Sequence, residues 1–149
     1  MLIKKSEAGF TLIEILIVVV ILGILAAISV PAYTDNVRRS RRADARSVLT
    51  QNVQFMQSFM TANDRYDKMR DNTAVALPML VSPVGATGSN VDYDISFTIA
   101  PTATTFSVRA VPRAGGRMAT DGCGTYAINE SGARSNVGNT LSVDTCWTK

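Results

Sequence analysis

From Phe10 to Tyr33 the chain reads FTLIEILIVVVILGILAAISVPAY, an apolar run whose one charge is Glu14. Residues 15–34 are 20 consecutive positions without a charge. At ~1.5 Å rise per residue, a helix of that length spans a ~30 Å hydrocarbon core, so the pattern predicts a membrane-spanning helix. Beyond Asp35 the pattern changes. Val37, Val48, Leu49, Val53, Met56 and Met60 follow a ~3.6-residue period, widened by Phe55 and Phe59. Arg38, Arg39, Arg41, Arg42, Asp44 and Arg46 lie between them. The two patterns join into one helix over residues 11–62, whose second half leaves the membrane and lays its apolar face on a soluble domain. Asn63 and Asp64 supply the turn formers that end it.

Residues 72–90 read as a loop, punctuated by Pro78, Pro83, Gly85 and Gly88. The next pattern has period two. Val91, Tyr93, Ile95, Phe97 and Ile99 alternate with Asp92, Asp94, Ser96 and Thr98, which predicts a half-buried strand with both aspartates solvated. Phe106, Val108 and Ala110 alternate with Thr105, Ser107 and Arg109 as a second strand, and Tyr126 and Ile128 mark a third. An antiparallel meander with one face on the helix satisfies both apolar surfaces, so the expected fold class is α+β.

The N-terminal flank is unusual. Lys4 and Lys5 precede a small residue, Gly9, which stands before the apolar run. A secretory signal has its small-residue cleavage site after the apolar region and loses that region. Cutting after Gly9 would leave the helix on the product. The lysines favour a cytoplasmic N-terminus, whereas the arginines from Arg38 to Arg42 compete on the far flank, so charge alone leaves orientation open.

Gly9-Phe10-Thr11-Leu12-Ile13-Glu14, followed by the apolar helix and Pro31-Ala32-Tyr33, resembles the class III signal of type IV prepilins and pseudopilins. The resemblance implies a pilin fold and cleavage between Gly9 and Phe10 by a prepilin peptidase. It also implies N-methylation of Phe10. An acid within a membrane helix is costly unless paired, by ~2.5–3.5 kcal/mol at the bilayer centre and less near the interface. The amine freed at Phe10 lies four residues from Glu14 and could pair with it in the same chain or in a neighbour. Pairing with a neighbour would fix helix register in a filament, the role the resemblance implies for Glu14; the plain alternative is an acid snorkelling to the headgroups. Gly23 and Pro31 are the expected helix breaks, either an ordinary tolerated kink or a segment able to extend in the filament.

Cys123 and Cys146 are the only cysteines. In a domain outside the cytoplasm they are expected to form one disulfide, closing a loop worth ~3 kcal/mol on the chain-entropy estimate. With no histidine and no CxxC spacing, metal binding is a poor alternative. The segment between them resembles the disulfide-bounded D-region of type IV pilins. The order Asp121-x-Cys123-Gly124-x-Tyr126-x-Ile128-Asn129-x-x-Gly132, closing on Cys146-Trp147, is similar to PilE-like minor pilins of Gram-negative bacteria. The domain plan that follows is a leader at 1–9 and a membrane and assembly half-helix at 10–34. An amphipathic half-helix at 35–63, an αβ-loop at 64–90, and a sheet with D-region at 91–149 complete it.

The absence of histidine excludes His-based triads, and no P-loop or dinucleotide fingerprint occurs. The chain therefore reads as a substrate of processing enzymes, not an enzyme, with no cofactor and no metal. The leading expectation is a minor pilin that primes or joins filament assembly. The alternatives are a DNA-binding pilin for DNA uptake, a type II secretion pseudopilin, or a major pilin. The helix arginines could grip phosphates or headgroups, or form a solvated or intersubunit face. Away from the helix, Arg109, Arg113 and Arg117 are the best candidate DNA patch, although a net charge of +3 gives no general reason to expect nucleic-acid binding. Expected partners are other pilin subunits, the prepilin peptidase and the inner-membrane assembly machinery. The expected location is the inner membrane with the C-terminal domain periplasmic, then the extracellular pilus.

Overall fold

The computed structural model describes residues 9–148. The expected leader, apart from Gly9, lies outside the described residues. Two compact units divide the chain after Val37.

Helix α1, Leu12–Asn63, begins in the first unit. Thr11 caps it, its Oγ1 accepting the Glu14 backbone N–H at 3.3 Å. The best 18-residue window has a mean hydropathy of 3.0 and none of it is buried, so the helix is long and apolar enough to cross a membrane. Every large apolar side chain from Phe10 to Val30 is exposed. An apolar surface of that extent calls for lipid or other helices as its surroundings. The helix runs through Gly23 and Pro31 without interruption. Proline withdraws one backbone donor from the ladder, and the flanking turns keep theirs. Thr34 Oγ1 donates to the Pro31 carbonyl at 2.8 Å.

In the second unit the remainder of α1 buries Ala45, Val48, Leu49, Asn52, Val53, Met56 and Phe59. These positions recur every three or four residues, which is the stripe one helix face presents to a sheet. Val37 and Met60, expected on that stripe, are half-buried. Asn52 is a polar member of the core. Its Nδ2 donates to the Met79 carbonyl at 2.9 Å and its Oδ1 accepts the Met79 N–H, which pins the connection after the helix.

Five antiparallel strands follow in simple meander order: β1 (Val81–Ser82), β2 (Tyr93–Phe97), β3 (Ser107–Pro112), β4 (Thr125–Asn129) and β5 (Arg134–Val137). Ile95 pairs with Ala110, Val108 with Ile128, and Ile128 with Arg134. Tyr93, Ile95, Val108, Ala110, Tyr126 and Ile128 join the helix stripe in one core. The other face carries Ser96, Arg109, Ala127 and Ser135 in a single cross-strand row. The fold is the expected α+β pilin arrangement of a long helix on an antiparallel sheet, with Cys123 and Cys146 joined as a disulfide (Cα–Cα 5.6 Å).

Three local departures from the sequence reading have physical causes. The first strand stops at Phe97, and Ile99 is exposed because the chain turns there toward Ser107. The loop expected over 72–90 contains β1 and a 3-10 turn, Gly88–Asn90; two residues are too few for an alternation to register. The segment between the two cysteines contains β5, whose sequence RSNV is mostly exposed and so lacks an apolar face. Helix α2, Val143–Thr148, begins in the same segment, capped by Ser142 Oγ accepting the Thr145 N–H at 3.2 Å.

Candidate functional site

The arginines at the start of the second unit mostly turn inward onto the sheet. Arg42 forms a forked pair with Asp121, Nη2 to Oδ1 at 2.6 Å and Nε to both oxygens at 3.1 Å. That bonding raises the Arg42 pKa above its ordinary value, against the opposing effect of burial. Arg41 Nε lies 3.6 Å from Asp92 Oδ2. Arg46 Nη1 donates to the Cys146 carbonyl at 3.1 Å. The reading of these arginines as a solvated or purely intersubunit face is thus corrected for Arg41, Arg42 and Arg46. The sheet and the D-region supply their partners. Arg38 and Arg39 remain exposed.

Asp92 is also corrected. It is only 1% exposed, because it precedes β2 proper and sits between the helix and the glycine-rich connection after β3. Arg117 Nε reaches its Oδ1 at 3.0 Å, so one carboxylate serves two guanidinium groups. Asp94, half-exposed, is paired with Arg113.

Arg113 and Arg117 line one open cleft of about 350 Å³ with Gly88, Ser89, Val91 and the turn residues Ala114 to Gly116. Arg113 is fully engaged there: Nε and Nη2 go to Asp94 and Nη1 to the Gly88 carbonyl at 3.0 Å. Arg117 also donates to the Asn90 carbonyl at 2.8 Å. Arg109 does not line this cleft. It stands on the outer sheet face, its Nε donating to Ser96 Oγ at 3.2 Å, and no carboxylate pairs with it among the described residues.

The core beneath holds two phenols. Burial raises the Tyr93 pKa strongly, and it pushes Tyr126 up to about 12. Their rings meet edge to face at 6.0 Å. Tyr126 OH donates to the Cys146 carbonyl at 3.4 Å, so the phenol and Arg46 share one acceptor beside the disulfide. Gly124 follows Cys123 with φ +58°, and a Cβ there would meet the Val137 carbonyl oxygen at 2.4 Å. Only glycine allows β5 this close.

Of the processing and assembly residues, Gly9 and Phe10 are exposed, and Glu14 lies in the first turn of α1. Trp147, the last residue of the Cys146-Trp147 motif, lies beside Arg134, which the sequence did not single out. The guanidinium carbon is 5.2 Å from the ring centroid. The adjacent Cys146-Trp147 was the one available signal, and nothing near it pointed to Arg134.

A long helix that is apolar and then amphipathic, laid on a meander closed by a C-terminal disulfide, defines a type IV pilin. A family model described as "Prokaryotic N-terminal methylation motif" matches residues 4–30. A second, described as "Type IV minor pilin ComP, DNA uptake sequence receptor", matches residues 31–127, and the chain belongs to that family. Among curated relatives, the fimbrial protein EcpC of Eikenella corrodens is 54% identical over 44 residues, 30% of this chain and 29% of its own length. The major pilin PilA of Myxococcus xanthus is 40% identical over 73 residues, 49% of this chain and 33% of its own. The chain thus spans about a third or less of the length of these relatives. Among solved structures, the non-core minor pilin PilV of Neisseria meningitidis superposes with a TM-score of 0.49 at 18% identity, over 72% of this chain and 94% of that one.

Proposed function

We infer that this protein is a minor subunit of type IV pili that holds DNA for uptake. The match of residues 31–127 to the family described as a DNA uptake sequence receptor carries the reading. The charge distribution supports it. Arg109 projects from the outer sheet face without an acid, and Arg41 and Arg117 share the single charge of Asp92, leaving a local excess of one. Arg113 adds little net field, since Asp94 neutralises it. Such cations attract phosphates and release condensed counterions.

Entry into the pilus follows the family plan. Cleavage after Gly9 by a prepilin peptidase frees Phe10 for methylation. Residues 10–34 then pack with the helices of other subunits, and Glu14 sets the register. Insertion in the inner membrane with the second unit periplasmic precedes extrusion by the assembly machinery.

The test is fluorescence anisotropy of the full chain in detergent with duplex DNA across a salt series. Binding whose logarithm falls linearly with that of salt, weakened by Arg109→Ala, is the expected result. No binding even at low salt would sink the DNA reading.

A further inference from the structure

A shallow, open pocket of about 250 Å³ lies where α1 meets the last strand, lined by Ala43, Arg46, Ser47, Thr50, Arg134 and Trp147. It is separate from the cations considered for DNA. Arg134 stands opposite Ile128, on the helix side of the sheet, whereas Arg109 stands opposite Ala127 on the outer side.

The pocket is built before any ligand arrives. Trp147 Nε1 donates to Asn136 Oδ1 at 2.8 Å, and Asn136 Nδ2 donates to the Cys123 carbonyl at 2.8 Å. Tyr126 packs edge-on against the same indole at 5.3 Å. Arg134 lies over the ring, and no hydrogen bond or carboxylate among the described residues occupies its N–H donors. Arg46 lines the pocket as well, steadied by the Cys146 carbonyl. Neither arginine has a carboxylate partner among the described residues. Two held guanidinium groups without an acid form an anion site, and the free fork of Arg134 suits a planar, bidentate acceptor.

We propose that this pocket receives an Asp or Glu side chain of an adjacent pilin subunit. A depression of this size takes one acidic side chain, and it lies on the helix side of the sheet, away from Arg109. The lining helix residues belong to α1, the element whose apolar half packs with other subunits, so assembly brings neighbouring chains alongside this stretch. Tryptophan and arginine together are also enriched at interface centres. The inference rests on membership of the pilus and is independent of DNA binding.

The experiment places a photo-crosslinking amino acid at exposed Thr50 in the full chain, in the native host. The expected product is an adduct with another pilin whose linked peptide contains an acid. Arg134→Glu should lower its yield roughly tenfold, the scale of an interface hot spot. Arg134→Lys, which keeps the charge, should retain more of it. Ser47→Glu, which gives the pocket a carboxylate of its own, should lower the yield as well, guarding against a folding defect specific to position 134. DNA affinity of the purified full chain should not change with Arg134→Glu. A pilin adduct indifferent to Arg134→Glu and Ser47→Glu overturns the proposal, as does the absence of any pilin adduct. Loss of DNA binding with the pilin adduct intact assigns the pocket to nucleic acid and overturns it too. Failure of the wild-type chain to bind DNA sinks only the preceding reading.

Discussion

Arg42 and Asp121, 79 residues apart in sequence, meet as a forked ion pair with side chains only 11% and 1% exposed. The same carboxylate accepts the Cys123 N–H at 3.2 Å. One acid therefore ties the helix to the first cysteine of the disulfide loop. Its value lies in specifying where the D-region docks, since a buried pair gains little over a well-packed apolar one.

Removing one partner is a different matter, because it strands the other charge. Arg42→Ala should cost about 3–5 kcal/mol, and the double change Arg42→Met with Asp121→Leu should cost much less. Thermal unfolding of the full chain in detergent, followed by near-ultraviolet circular dichroism, measures both. Equal losses from the single and double variants would refute the argument.

Gly124→Ala should destabilise by about 1–3 kcal/mol, since the residue sits at φ +58° and its new methyl would meet the Val137 carbonyl. Gly132→Ala tests how much of this is conformational alone: its φ is +78° but open space surrounds it. The loss at 124 should exceed that at 132 in the same unfolding assay.

Alkaline pH should unfold the domain in a defined window. Tyr126 ionises at about 12 in the folded protein and Tyr93 is raised further, against about 10 in an unfolded chain. The unfolded state therefore loses these protons first. Their contribution to stability is complete below pH ~10 and declines as pH rises through the folded value. Unfolding midpoints measured from pH 8 upward should hold and then fall above pH ~10. Tyr126→Phe should make that fall shallower.

On DNA, Arg109→Ala should weaken binding at every sequence and reduce the salt slope by about one phosphate contact. Arg113→Ala should do less, and the accompanying release of Asp94 should add a repulsive charge that Arg113→Ala with Asp94→Ala removes. Titrations of the three variants at two or more salt concentrations separate these effects. An unchanged slope for Arg109→Ala would remove that residue from the interface.

The periodic parts of the chain declared themselves. An apolar run, a 3.6-residue stripe and three alternating segments are each sufficient to name a helix or strand, and they mark the helix, β2, β3 and β4. Strand β5 escaped because an edge strand with Arg134, Ser135 and Val137 exposed has no buried face to write into sequence. Asp92 escaped for a related reason: alternation assigns a face, but it cannot show that Arg41 and Arg117 arrive there from elsewhere. The Arg134–Trp147 pair depends on the fold of a tail whose own pattern is weak. Long-range polar pairing leaves no periodic trace, and most of the candidate chemistry here is of that kind.

Both sulfurs of the Cys123–Cys146 bridge are shut away from solvent, at 0% exposure for each cysteine. A thiolate must reach a sulfur directly to exchange with it. Reductants therefore wait on opening of the D-region, and the lifetime of the bridge in a thiol-rich setting is set by how often the domain breathes. Arg42, Asp121 and Tyr126, which carry no redox chemistry themselves, thus govern the chemical durability of the disulfide-closed domain.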